Sequence, residues 1–230
     1  MSELQQRVER LMLRLDRMGM RVEQAVADAI QAAERGNVKA GETIDETDSV
    51  IDREEVEIEQ ECIRLLALYQ PTAIDLRTIC TVIKVNNDLE RIADLATSIG
   101  RRVKHIVEDE VDLLAVSGYQ QLREDTLSIL GRTIRMLNTT DATTAGRIIG
   151  LDNRVDEDHK ELVHGVLANH GGPTGNAEFV MTVISVAKAL ERIADLCTNI
   201  AEDIVFLRTG DVVRHADAFE ESQGEPSART

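Results

Sequence analysis

LERIADLATSI at residues 89–99 returns almost unchanged as LERIADLCTNI at 190–200, an offset of 101. The match extends upstream, where Val82, Ile83 and Val85 correspond to Val183, Ile184 and Val186. Pro71–Thr72 matches Pro173–Thr174 at an offset of 102, and Asp48, Ile51 and Asp52 match Asp152, Val155 and Asp156 at 104. The drift in offset fits small insertions and deletions in the turns. A recurring heptad reproduces apolar spacing, but not an unbroken LERIADL with matching turns and acidic pairs. The chain is therefore read as an internal duplication.

Apolar residues follow a helical period over most of the length. Leu4, Val8, Leu11, Leu15, Met18, Val22, Ala25 and Ile30 trace the stripe of a first helix that ends near Gly36–Asn37. A second helix is predicted from about 38 to 69, through Ile44, Ile51, Ile58, Leu65 and Leu68, and stops before Pro71. A third runs from about 72 to 109 through Leu76, Ile79, Ile83, Leu89, Ile92, Ile99, Val103 and Ile106. Three more cover roughly 116–138, 142–168 and 175–207, with Asn169–Gly175 as the clearest break in the second half. Short connections make neighbouring helices antiparallel. The predicted fold is all-α: six helices in two tandem, internally repeated antiparallel three-helix bundles. The first bundle is assigned to 1–111, the second to 112–209, and a disordered tail to 210–230.

Composition agrees with long helices. In 230 residues there are 14 glycines and 3 prolines, both helix breakers, and only 2 tyrosines, 3 phenylalanines and no tryptophan. Leu, Ile, Val, Ala and Met must then fill the interior. The net charge of -16 argues against a general nucleic-acid binder, which needs a positive field. It suits cations or a basic protein surface, although a soluble acidic exterior accounts for much of it. Cys62, Cys80 and Cys197 show no paired spacing, so a zinc knuckle and a disulfide framework are not indicated. They read as small buried side chains in a reducing compartment. The N-terminal stretch lacks a signal-peptide core, and no segment reaches the roughly 18–20 apolar residues of a membrane span. A cytoplasmic location is expected.

Hairpin geometry gathers the acids. Folding the second and third helices about Pro71 sets Asp48 level with Asp94, and Asp52 level with Glu90. Each pair on one helix is spaced i,i+4 and shares a face. The turn near Gly36–Asn37 brings Glu23 to about the same height. In the second half, folding about Gly171–Gly172 sets Asp152 near Glu191 or Arg192 and Asp156 near Lys188, with Asp195 within a turn. The turn near Asn138–Asp141 returns Asp125 to that level. Clustered like charges destabilise a fold unless a cation or proton compensates. Hard divalent or trivalent metal ions bound through oxygen are one compensation. A solvated acidic face neutralised by Arg91, Arg192 or nearby lysines is the other. Carboxylates alone discriminate poorly among magnesium, manganese, iron, calcium and zinc.

LERIAD at 89–94 and 190–195 resembles the hallmark of the PhoU family, an E/D-x-x-x-D motif found once in each of two bundles. MGMRVEQAV at 18–26, D-x-x-I-D at 48–52, D-x-x-V-D at 152–156 and QPTAIDLR at 70–77 are similar too, and the likeness covers roughly 10–207. The resemblance implies two tandem three-helix bundles carrying multinuclear iron or zinc clusters, with magnesium and manganese also compatible with the donors. By the same resemblance Glu90, Asp94, Glu191 and Asp195 are the leading ligands. Asp48, Asp52, Asp152 and Asp156 come next, followed by Glu23 and Asp125. It further implies a negative regulator of phosphate uptake and of the phosphate-starvation response. Such a protein links the ATPase subunit of the phosphate ABC transporter to a sensor histidine kinase, meets membranes only through partners, and often forms a homodimer. Asp75 and Arg77 are read as helix-capping residues. This chain departs from the pattern in having Ala93 and Ala194 where many members have glycine, Ala189 where the first repeat has Asp88, and PTGNAEFV in place of a second P-x-x-x-D-L-R.

Two other readings address the same residues. One is a metal-free acidic scaffold for a basic partner, serving another transporter or a stress response. The other is a carboxylate-bridged metal enzyme, which needs two Glu-x-x-His elements on different helices. Only Glu161–His164 has that spacing, and His159 and His164 read as surface or satisfied helix residues. No catalytic residue or organic cofactor is assigned.

Overall fold

The computed structural model of the protein describes residues 2–172 and 175–211. The expected tail lies, from residue 212 onward, outside the described residues, as do Pro173 and Thr174. Among the described residues there are six α-helices: α1 (Glu3–Arg35), α2 (Val38–Tyr69), α3 (Ala73–Glu108), α4 (Tyr119–Thr139), α5 (Ala142–His170) and α6 (Ala177–Thr209). A 3-10 turn at Leu113–Ala115, which the periodicity did not indicate, leads into α4.

Local chemistry sets the ends. Ser2 and Gln5 form a reciprocal capping box at the start of α1. Gly36 closes α1 in the left-handed region at φ 59°, and the Asn37 side chain caps α2 by accepting from the Ala40 N–H. Asp141 and Asn176 cap α5 and α6 in the same way. Asp75 stands in the first turn of α3, favourably placed for the helix dipole, but the N-cap Thr72 makes no side-chain capping bond. Arg77 instead places Nη1 against Gly210 at the end of α6.

Helices α1, α2 and α3 pack on one another as one bundle, and α4, α5 and α6 as the second. Buried Ile44, Ile51, Ile58 and Leu65 of α2 recur every seven positions, with Gly41 and Cys62 beside them, so a single stripe meets α1 and α3. Leu68 and Leu76, placed in the core by period, are exposed near the α2–α3 turn.

The bundles join through α3 against α6 and α1 against α4. Thr182 near the start of α6 donates to Asp109 at the end of α3 (3.3 Å), while Lys84 pairs with the buried Asp203. With Arg77 beside Gly210, these contacts make α3 and α6 antiparallel. Equivalent residues of the two repeats therefore meet about an approximate twofold axis near Asp94 and Asp195. Across α1 and α4, Tyr119 and Arg123 both donate to Glu34, at 3.3 and 3.2 Å. Gly19 admits Ile134 and Leu137 to about a methyl's distance.

Helices α2 and α3 approach closely where Gly41 faces Gly100. A Cβ added at Gly100 would stand 2.8 Å from the Gly41 carbonyl oxygen, and one at Gly41 2.6 Å from that of Gly100. Gly100→Ala is therefore expected to destabilise by about 1–3 kcal/mol, despite alanine's better helix propensity. Gly150→Ala on α5, where nothing lies within 4 Å, should stabilise by about 0.5–1 kcal/mol. Chemical denaturation of both variants checks the pair.

Candidate metal centres

Each bundle holds a layer of carboxylates between its second and third helices. In the first, α2 presents Asp48, Asp52 and Glu55, and α3 presents Glu90 and Asp94. Burial, then the charges of Asp52 and Asp94, raise the pKa of Asp48 above its ordinary value. Burial, then Asp94, Asp52, Glu55 and Asp48, do the same to Glu90. Glu55 is raised by burial, with Glu59 and Asp52 adding to it. Glu55 was missed from sequence, yet it stands seven residues after Asp48 and three after Asp52, on the same face. Asn86 holds it by donating to its Oε1 at 3.0 Å.

In the second bundle Asp156, Glu191 and Asp195 each offer one carboxylate oxygen within 4.8 Å of the others. Asp152 adjoins them: burial, then Asp195, Asp156 and Glu191, push its carboxyl up to about 6. Asp195 is raised by burial, Glu191 and Asp156. The observed register lies about one helical turn from the expected one, since Asp152 faces Asp195 and Asp156 faces Glu191. The physical reason is the longer connection between His170 and Ala177, compared with Tyr69 to Ala73 in the first hairpin.

His159 occupies in this layer the position that Glu55 holds in the first, at the same offset of 104 as the acidic pairs. It is not the satisfied or surface residue expected. It is partly buried, and its Nε2 is enclosed without a hydrogen-bond partner. Burial lowers its pKa, against the opposing charge of Glu191. His164 is exposed, as expected.

Two expected members stand elsewhere. Glu23 directs Oε1 to the α4 surface at Gly131, beside Arg135, because its face of α1 meets the other bundle. Asp125 accepts from Gln121 at 2.7 Å and from Arg154 at 3.0 Å, and Asp158, whose pKa is raised by burial and then by Asp125, lies against it. Asp125 is thereby held on the α4–α5 face.

The donors fit a hard cation. Asp48 Oδ1, Asp152 Oδ1 and Glu191 Oε2 are enclosed and lack a hydrogen bond of normal geometry, although Thr97 and Thr198 lie beside the two aspartates. Such oxygens suit coordination. One protein cation already competes in the second layer, where Lys188 Nζ lies 2.5 Å from Glu191 Oε1. Between the layers, on the approximate twofold axis, a groove of about 310 Å³ is lined by Arg91, Asp94, Leu95, Arg192, Asp195, Leu196 and Asn199. A cavity of about 390 Å³ at the end of the second bundle, between Val116, Val166 and Phe179, includes none of the candidate ligands.

Comparison with known proteins places this architecture. The PhoU domain family model matches twice, over residues 15–103 and 119–204. The chain belongs to the PhoU family. It is 33% identical over 205 residues to the phosphate-specific transport system accessory protein PhoU of Serratia marcescens, covering 88% of this chain and 84% of that one. The Escherichia coli protein of the same description is 31% identical over 203 residues, covering 88% and 84%. The crystal structure of PhoU from Pseudomonas aeruginosa superposes with a TM-score of 0.85 at 28% identity, over 91% of this chain and all of that one. The phosphate transport system regulatory protein PhoU from Streptococcus pneumoniae gives 0.82 at 25% identity, over 92% and 99%. This PhoU-family chain is thus an accessory, regulatory protein of phosphate transport. Among its described residues no helix is long and apolar enough to cross a membrane.

The raised carboxyls set a pH dependence. A carboxyl with a folded pKa above its ordinary value favours folding when protonated. Its contribution is complete below the ordinary value and is lost as pH rises through the folded one. For Asp152 that window runs from 3.8 to about 6. In chelator at pH 7.5, Asp152→Asn should raise stability by about 1 kcal/mol after solvent screening, or about 2–4 °C in Tm. The gain should vanish at pH 4. Thermal scans at the two pH values measure it.

Proposed function

We propose that this protein restrains phosphate uptake and the phosphate-starvation response when phosphate is ample, as an adaptor between the ATPase subunit of the phosphate ABC transporter and a sensor histidine kinase. The observation that carries this reading is the match to the PhoU domain in both halves, each keeping its acidic layer. The names of the relatives tie such chains to the phosphate-specific transport system.

Metal ions on the two layers are part of the proposal. Glu90, Asp94, Asp48 and Asp52 would hold one group of ions, with Glu55 beside them. Glu191, Asp195, Asp152 and Asp156 would hold the other. A bound cation supplies positive charge that offsets carboxylate repulsion. The chain's own part is to fix the two helices at a spacing where neither layer can spread. A metal-free acidic scaffold is favoured by one observation, the Lys188–Glu191 pair, which neutralises part of the second layer without an ion.

Elemental analysis of untagged protein separates the two readings. Near-stoichiometric metal is expected, lost half by half in Glu90→Ala/Asp94→Ala and in Glu191→Ala/Asp195→Ala. No uptake after reconstitution with iron, zinc, manganese or magnesium would leave the metal-free scaffold. The regulatory role is tested in cells: deleting the gene should switch on a phosphate-starvation reporter in ample phosphate. An unchanged reporter would contradict the role.

A further inference from the structure

The groove on the approximate twofold axis is built from the same positions of both repeats. Arg91 and Arg192 correspond at the offset of 101, as do Asp94 with Asp195 and Leu95 with Leu196. Antiparallel packing of α3 on α6 brings Arg91 and Arg192 into the lining of one groove, with Asn199 beside them. Guanidinium forks match the geometry of a tetrahedral oxyanion. Arg91 is braced by Asp88 at 3.3 Å, whereas Ala189 stands at the corresponding place in the second repeat, so Arg192 lacks that brace.

Asp94 and Asp195 oppose an anion here, since their charges balance the two arginines. Both also belong to the acidic layers behind the groove. Cations held on those layers would offset the negative charge of the two aspartates and leave the arginines in excess. The sign of the groove therefore depends on whether the layers are loaded.

We propose that this groove is a phosphate-class oxyanion site, with Arg91 and Arg192 as its donors, which opens to anions when cations occupy the adjacent carboxylates. The inference rests on the metal reading given above. Linkage makes the effect reciprocal: an anion in the groove tightens retention of the cations. A volume of about 310 Å³ admits a free phosphate with its hydration or the phosphate end of a monoester.

The test is calorimetric titration of the full chain with inorganic phosphate, with sulfate and adenosine monophosphate as parallel arms. Manganese-loaded and chelator-treated protein are compared, and metal content is measured separately. Phosphate should bind the loaded protein and weaken about tenfold or more on chelation. Arg91→Gln/Arg192→Gln should weaken it about as much while metal content is unchanged. Binding of phosphate but not the monoester identifies the free ion as ligand, and binding of both identifies a phosphoryl end group. Loaded protein that binds no anion would overturn the site while leaving the metal reading standing. Anion binding that survives in the double variant would overturn the arginines' role, since the anion would then sit on metal alone. A chain that takes up no metal fails the metal reading, and phosphate binding to it would overturn the proposed dependence.

Discussion

Repulsion among carboxylates held on neighbouring helix turns is the constraint on which the rest of this structure depends. Acids at i,i+4 on α2 and α3, and again on α5 and α6, are set side by side by the packed cores beneath them. Ile51, Ile58, Leu89 and Ile92 are fully buried around the first layer, and Val155, Leu190 and Ile193 around the second. Hydrophobic burial fixes the helix spacing, and the spacing fixes the charge density. Burial is the leading cause of the raised pKa at Asp48, Glu90, Asp152 and Asp195 alike. Asp48, Glu90, Asp152 and Asp195 lose part of their hydration to this packing, while Asp52 and Asp94 keep an exposed edge.

The second organising feature is the antiparallel contact of α3 with α6. Duplication alone makes two separate layers. Packing the copies face to face sets both motif aspartates into one groove. The layers are not chemical twins. The first offers carboxylates throughout, including Glu55, while the second has His159 in the corresponding place and Lys188 on Glu191. A nitrogen donor and an internal counter-ion favour different metals and different occupancy from an all-oxygen layer.

The helices, their order and the pairing of α2 with α3 were legible from periodicity and the repeat. In the first hairpin the short link from Tyr69 to Ala73 makes the residue count symmetric, so Asp48 and Asp94 meet as counted. The second hairpin has a longer link, and counting from Gly171–Gly172 slips the register by about a turn. Glu23 was misplaced for another reason. Periodicity shows that a residue borders the core but not which bundle it faces, and α1 turns that edge toward α4. Asp125 is drawn off by Arg154, a pairing that helix spacing does not reveal. The groove was illegible because it arises only when the repeats dock.

Offset of the layers' carboxylate charge by bound cations would couple folding to metal. Its most direct measurement is the thermal unfolding midpoint of chelator-stripped protein against free manganese at pH 7.5 and 5.5. The midpoint should climb with the logarithm of free metal at pH 7.5, and climb less at pH 5.5, where Asp152 is largely protonated. A midpoint indifferent to metal at pH 7.5 would contradict it.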